Sequence, residues 1–252
     1  MPLSVAIITL NEEENIRACL ESVAWADEIV VVDSGSLDNT REICREFNCR
    51  IIQKEWPGFG RQKNFAVSQC THDWVLNIDA DERLTPELQS EIRKLSEKCA
   101  PVYHGYYIAR QNFFLGRWIK YGGWYPDYNL RLFNRREGKF NERQVHEAVQ
   151  LNGNGGYLTN PLQHYTYKSV SDYYQRMERY SNLAAQQMYQ EGRMAGISGL
   201  LLHPLAAFFR MYFFKMGFRD GYYGLVLAGL YTAYTFAKYA KLWELQDSKG
   251  KT

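Results

Sequence analysis

Two aspartates one residue apart, Asp79 and Asp81, leave an apolar run, Trp74–Ile78, that reads as a buried strand. If the backbone stays extended there, residues i and i+2 project to one side. Two carboxylates facing a cleft make a hard-oxygen site for Mg²⁺ or Mn²⁺, and such an ion also bridges phosphate oxygens. The bland duty for one of them, capping the next helix, is already met by Thr85-Pro86. In an open parallel sheet, ligands bind beyond the carboxyl ends of the strands. The other informative residues are therefore Thr9, Asn11 and Glu12 after the first apolar run, and Asp33 and Ser34 after the second. Asp33 has two readings. It can accept hydrogen bonds from a base or ribose, or it can close an Asx-type turn in Asp33-Ser34-Gly35-Ser36.

The elements that position these groups follow from pattern. Leu3–Thr9, Glu28–Val32, Arg50–Gln53 and Trp74–Ile78 read as strands. Between them Asn11, with Glu14 as box partner, starts a helix that runs to about Ser22. Further helices are expected from about Asn39 to Phe47, over Gln62–Cys70 and from Pro86, with Asp38 and Thr40 at the start of the first of these. Strands alternating with helices predict an α/β fold, a mostly parallel sheet with helices on both faces. After about Ala100 short strands are expected at Gly105–Arg110, Arg131–Asn134 and Tyr157–Thr159. From about Val170 the pattern is helical to the end, which predicts a domain over 1–168 and a helical region over 169–252.

Several function classes are excluded by what surrounds the acidic pair. A dinucleotide fold needs GxGxxG directly after the first strand. Here TLNEEEN stands in its place, and three consecutive glutamates repel a pyrophosphate. A nucleotidyltransferase is disfavoured for the same reason, since its phosphate loop is rich in Gly, Arg and Lys. The net charge of +2 over 252 residues supplies no field for nucleic acid. Five cysteines, Cys19, Cys44, Cys49, Cys70 and Cys99, show no CxxC spacing and read as reduced thiols. The N-terminal segment lacks the basic region of a signal peptide, so a cytoplasmic location is expected.

The uncharged runs Ala195–Phe209 and Gly221–Ala237, of 15 and 17 residues, fall short of the roughly 20 apolar residues of a typical span. Arg210, Lys215, Arg219, Lys238 and Lys241 flank them. Aromatics beside basic residues suit helices lying in the headgroup region of an anionic leaflet. Packing on the rest of the chain, or dimerisation, is the alternative.

Four segments, AIITLNEEENI, EIVVVDSGSLDNT, GFGRQKNFA and VLNIDADE, resemble the family 2 glycosyltransferases, which have the GT-A fold. They cover about the first 85 residues in that family's order and spacing. Farther on, GGWYPDYNLRLFNRREGKFNERQVHE and HYTYKS resemble a subgroup acting on lipopolysaccharide core, the enzymes that place a β-1,4-linked glucose on the first heptose.

The resemblance implies an inverting, metal-dependent sugar transfer from UDP-glucose to a lipopolysaccharide-core or related glycolipid acceptor, at the inner face of the cytoplasmic membrane. It implies nucleoside contacts for Thr9, Asn11, Glu12 and Asp33. Arg61, Lys63 and Asn64 would lie near the nucleotide or donor sugar. Asp79 and Asp81 would hold a divalent metal, Mg²⁺ or Mn²⁺, with Asp79 also at the donor. Glu147 falls at the position of the base, with His146 where relatives carry an acidic residue. Asp127 is the competing base and could equally bind the donor sugar. His164 stands where some GT-A enzymes supply a metal ligand, and a structural role is open to it as well. The rival readings are a sugar-nucleotide-binding protein without catalysis, and a family member with another donor and acceptor.

Overall fold

Four parallel strands carry the informative residues to one edge of a sheet. In a computed structural model describing residues 1–96, 102–141 and 147–250, these strands are β1 (Leu3–Thr9), β2 (Glu28–Asp33), β3 (Arg50–Gln53) and β4 (Trp74–Asp79). β1, β2 and β4 are short, mostly apolar runs, the composition of strands covered on both faces, while β3 is a half-exposed edge strand. β1 lies between β2 and β4, with Thr9 opposite Asp33 and Ile8 opposite Asp79. The C-terminal ends of β1, β2 and β4 therefore meet at one edge.

The sheet continues with strands of mixed sense. Its order is β3-β2-β1-β4-β8-β6-β12-β5, where β5 is Glu82–Leu84, β6 Gly105–Phe114, β8 Asp127–Asn134 and β12 Leu162–Tyr167. β8 is antiparallel to both β4 and β6. β11 (Gly155–Tyr157) pairs parallel with β6, and β9 (Gly138–Phe140) with β10 (Val149–Leu151) forms a separate antiparallel pair.

Helices cover both faces, as expected. On one face Leu3, Val5 and Ile7 pack with Ile16 and Leu20 of α1 (Ile16–Val23), Cys44 of α2 (Thr40–Glu46) and Leu88 and Ile92 of α4 (Pro86–Ser96). On the other, Ala6, Ile8 and Val75 pack with Ala66 and Val67 of α3 (Phe59–Gln69) and with Phe140. The alternation of sides along β1 is the two-residue period of a strand.

Two helix starts differ from expectation. α1 begins at Ile16, not after Asn11. Asn11 sits at φ 55°, in the left-handed region that Asn tolerates, and its side-chain oxygen accepts the Leu37 N–H at 2.8 Å. It is spent on a neighbouring loop and caps nothing. α3 begins three residues early, at Phe59, because Gly58 at φ 109° turns the chain into the helix and accepts the Gln62 N–H. α4 starts as predicted, the Thr85 hydroxyl accepting the Leu88 N–H at 3.2 Å. Among the described residues Cys19, Cys44, Cys49 and Cys70 are free thiols, and burial pushes the last three up to about 12.

The chain divides into two compact units, 1–111 with 127–164, and 112–126 with 165–252. The second holds β7 (Arg117–Trp118), α5 (Val170–Gln190), α6 (Ile197–Phe209), a π-helical turn at Arg210–Phe214, a 3₁₀ turn at Gly217–Asp220 and α7 (Tyr222–Gly250). Phe114, Ile119, Tyr173, Met211 and Leu227 form its core. The buried Asp220 carboxylate accepts the Tyr121 N–H at 2.8 Å and ties the 112–126 segment to the start of α7. Gly224 lies so near the Gly217 carbonyl that a Cβ there would stand 1.8 Å from its oxygen, so only glycine fits.

α6 and the turn after it form an 18-residue helical stretch, Ile197–Phe214, long and apolar enough to cross a membrane. Arg210 stands inside it. Ile197, Leu201, Leu202, Leu205, Phe209 and Phe214 are each half or more exposed, Phe214 by 82%.

Candidate active site

The C-terminal edge of β1 and β2 is a hydrogen-bonded loop network. The Asn11 N–H donates to the Ser36 hydroxyl at 2.9 Å and the Glu12 N–H to the Thr40 hydroxyl at 2.8 Å. The Glu12 carboxylate accepts from the Asn15 amide at 2.7 Å. Asp33 is fully buried and closes an Asx-type turn, accepting the Gly35 and Ser36 N–H groups at 3.1 and 3.0 Å and the Ser36 hydroxyl. The Thr9 hydroxyl is buried and finds no hydrogen-bond partner among the described residues. Thr9, Asn11, Glu12 and Asp33 thus share one edge, and the last three brace the two loops there. From α3, Arg61 is exposed, while the Asn64 amide exchanges two hydrogen bonds with the Phe140 backbone at 2.8 and 2.9 Å. That pair fastens α3 to β9.

The extended path expected through Asp79-Ala80-Asp81 is corrected. Strand β4 ends at Asp79, and Ala80 and Asp81 form a turn into β5. The Asp79 N–H donates to the Glu82 carboxylate at 2.9 Å, which closes that turn. The two aspartates consequently meet different partners. Asp79 receives Lys63 Nζ on one oxygen at 2.9 Å and Arg131 Nη2 on the other at 3.0 Å. Asp81 lies 3.5 Å from His164 Nε2.

Lys63 also reaches Glu147, at 3.0 Å. Arg131 bridges to Glu82, Arg110 approaches Glu82 at 3.6 Å, and Arg110 holds Asp127 through two nitrogens at 2.8 and 2.6 Å. The outcome is an unbroken chain of alternating charge from Asp127 to Glu147, by way of Arg110, Glu82, Arg131, Asp79 and Lys63. Lys63, Arg131 and Glu82 are only 3%, 4% and 0% exposed. Ions so buried are held by their partners, because an unpaired one is very costly. Burial opposes the charge on Asp79, but Lys63 and Arg131 outweigh it and hold the carboxyl well below the usual range. Burial likewise pulls Lys63 and Arg131 down, and their carboxylates reverse this and raise both.

The motifs quoted for the resemblance did not single out Glu82, Arg110 or Arg131. His146 lies outside the described residues.

Among the described residues no three His, Cys, Asp or Glu side chains come together as a complete metal site. Asp81 and His164 supply two ligands of the kind a divalent ion takes alongside phosphate oxygens. Both oxygens of Asp79 are already engaged by cations. The chain of charges holds three cations against four carboxylates, so the diphosphate that the resemblance implies would meet no surplus of positive charge there. A cation at Asp81 and His164 fits that need.

A mostly parallel α/β sheet flanked by helices and followed by a helical region is the GT-A-like class of fold. Residues 4–165 match the glycosyl transferase family 2 model, and the chain belongs to that family. The lipopolysaccharide core biosynthesis glycosyltransferase LpsC of Rhizobium meliloti is 32% identical over 100% of this chain and 95% of its own. The uncharacterized glycosyltransferase RT0209 of Rickettsia typhi is 32% identical over 96% of this chain and 87% of its own. Among solved structures, S. aureus TarS 1-349 in complex with UDP is 17% identical with a TM-score of 0.48, covering 100% of this chain and 92% of that one.

Proposed function

We propose that this chain is an inverting hexosyltransferase moving glucose from UDP-glucose to a lipopolysaccharide-core or related glycolipid acceptor. The observation that carries the reading is the meeting of Lys63, Asp79 and Glu147 beside the Asp81–His164 pair, in a member of this family. The similarity to LpsC, which is named for lipopolysaccharide core biosynthesis, supports the acceptor class.

Thr9, Asn11 and Glu12 stand at the nucleoside end, where the buried Asp33 shapes the loop, and Arg61, Lys63 and Asn64 stand beside it. Asp79 orients the donor through its fixed carboxylate. Asp81 and His164 would hold a divalent ion, whose chemistry is to neutralise charge on the departing diphosphate. Glu147 takes the proton of the acceptor hydroxyl as it attacks the anomeric carbon. One displacement turns an α-linked nucleotide sugar into a β-glycoside. The deciding experiment is hydrolysis of UDP-, GDP- and dTDP-sugars without acceptor, with Mn²⁺ and with chelator. Hydrolysis of UDP-glucose supports the donor; no cleavage of any sugar nucleotide would favour a binding protein without catalysis.

The exposed apolar face of α6, with Arg210, Lys215 and Arg219 following, is assigned to the surface of an anionic leaflet on the cytoplasmic side. Arg210 within the stretch, and a length at the low end for a span, favour lying in the interface over crossing it. The chain is expected to float with anionic vesicles at low salt. Phe209→Glu with Phe214→Glu should release it. An absence of lipid binding at low salt would leave packing or dimerisation as the role of this face.

A further inference from the structure

Arg131 occupies an irregular place in its strand. Between β8 and β6 the register pairs Leu132 with Tyr106 and Leu130 with Tyr107, so Arg131 is the extra residue of a bulge. A bulge bends the strand and re-aims a side chain, and bulges recur next to active sites. Here the guanidinium ends between two carboxylates, one nitrogen touching both Asp79 and Glu82. Glu82 is the hub of the arrangement. One of its oxygens accepts the Asp79 N–H, and the other takes Arg131 with Arg110 nearby. Its backbone pairs with His164 across β5 and β12. Asp79 is therefore fixed at its backbone by Glu82, and at its carboxylate by an arginine that Glu82 itself holds.

We propose that Glu82 and Arg131 are positioning residues, acting on the bound nucleotide only through the Asp79 carboxylate, an acceptor for its hydroxyl groups. The inference rests on the donor reading above. Glu82 is fully buried and Arg131 nearly so, so neither presents an open surface to a ligand. Without Arg131, Asp79 keeps Lys63 alone, and Lys63 is shared with Glu147. The carboxylate is then free to swing toward Lys63 and away from its place. Because a single nitrogen of Arg131 serves both carboxylates, a lysine can take over part of its work.

The test is a double-mutant cycle read by nucleotide affinity. The tightest binder among UDP, GDP and dTDP, with Mn²⁺, is titrated into wild type, Arg131→Gln, Asp79→Asn and the double variant, at a temperature where melting curves show each folded. Arg131→Gln and Asp79→Asn should each weaken binding about tenfold or more, as expected for loss of a charge-assisted contact. The double variant should be within about twofold of Asp79→Asn alone, since residues acting through one contact are not additive. Arg131→Lys should recover part of the loss. Glu82→Gln, alone and with Asp79→Asn, supplies the same cycle where Arg131→Gln does not fold. Multiplying losses, or an Arg131→Gln or Glu82→Gln affinity equal to wild type, would overturn the proposal. A wild type that binds none of the three nucleotides sinks the donor reading instead, so the two failures are told apart.

Discussion

Glu147→Gln is expected to lower transfer by about a hundredfold or more, the usual size for loss of a general base, while nucleotide affinity survives. The amide is nearly isosteric, and its oxygen can still accept from Lys63 where the Glu147 carboxylate does at 3.0 Å. What it loses is the capacity to take a proton. Asp127 is the rival. Its carboxylate receives two nitrogens of Arg110 at 2.8 and 2.6 Å and the Asn129 amide at 3.1 Å. Both of its oxygens are thus already engaged by fixed donors, which holds the side chain in place on Arg110 and Asn129. Lys63, by contrast, divides its charge between Glu147 and Asp79. Asp127→Asn should therefore cost less than Glu147→Gln. Steady-state kinetics with saturating acceptor settle it: near-normal turnover in Glu147→Gln moves the role to Asp127.

The parallel half of the fold was open to reading because its signals are local. Leu3–Thr9 and Arg50–Gln53 are bounded as expected, and β2 and β4 extend the expected runs by one residue, since a buried parallel strand is an unbroken apolar run between turns. The antiparallel half was not legible in the same way. β5 has three residues, too few for any period. β8 extends four residues before its expected start because Asp127 and Asn129 find partners only after folding. Asn11 misled for a related reason: its type suits a cap, but a loop 26 residues away claims its side chain. At the site, acidic residues at strand ends could be found by position alone. Their partners could not, since Arg131 lies 52 residues from Asp79 and Glu147 lies 84 from Lys63. Pairings of that span are set by strand order and by a bulge, neither of which leaves a local trace.

Asp81→Ala is expected to abolish detectable turnover, and chelation of the wild type to do the same, with Mn²⁺ or Mg²⁺ restoring it. The reason is the charge balance of the cluster. Every cation in it already answers to two carboxylates. A diphosphate entering such a site gains little from protein charge alone, and the departing group gains charge as the sugar leaves. Asp81 and His164 pair with each other at 3.5 Å, an acid and an imidazole of the kind a divalent ion takes. His164→Ala should weaken the metal more than the nucleotide, shifting the Mn²⁺ concentration for half-activation upward by about tenfold or more, as loss of one ligand does. Asp79→Asn should act mainly on nucleotide affinity, because its carboxylate answers to Lys63 and Arg131. Metal titrations of donor hydrolysis, run on the three variants side by side, separate these roles. Full activity in excess chelator would remove the metal from Asp81 and His164, and would require Lys63 or Arg131 to abandon its carboxylate for the diphosphate.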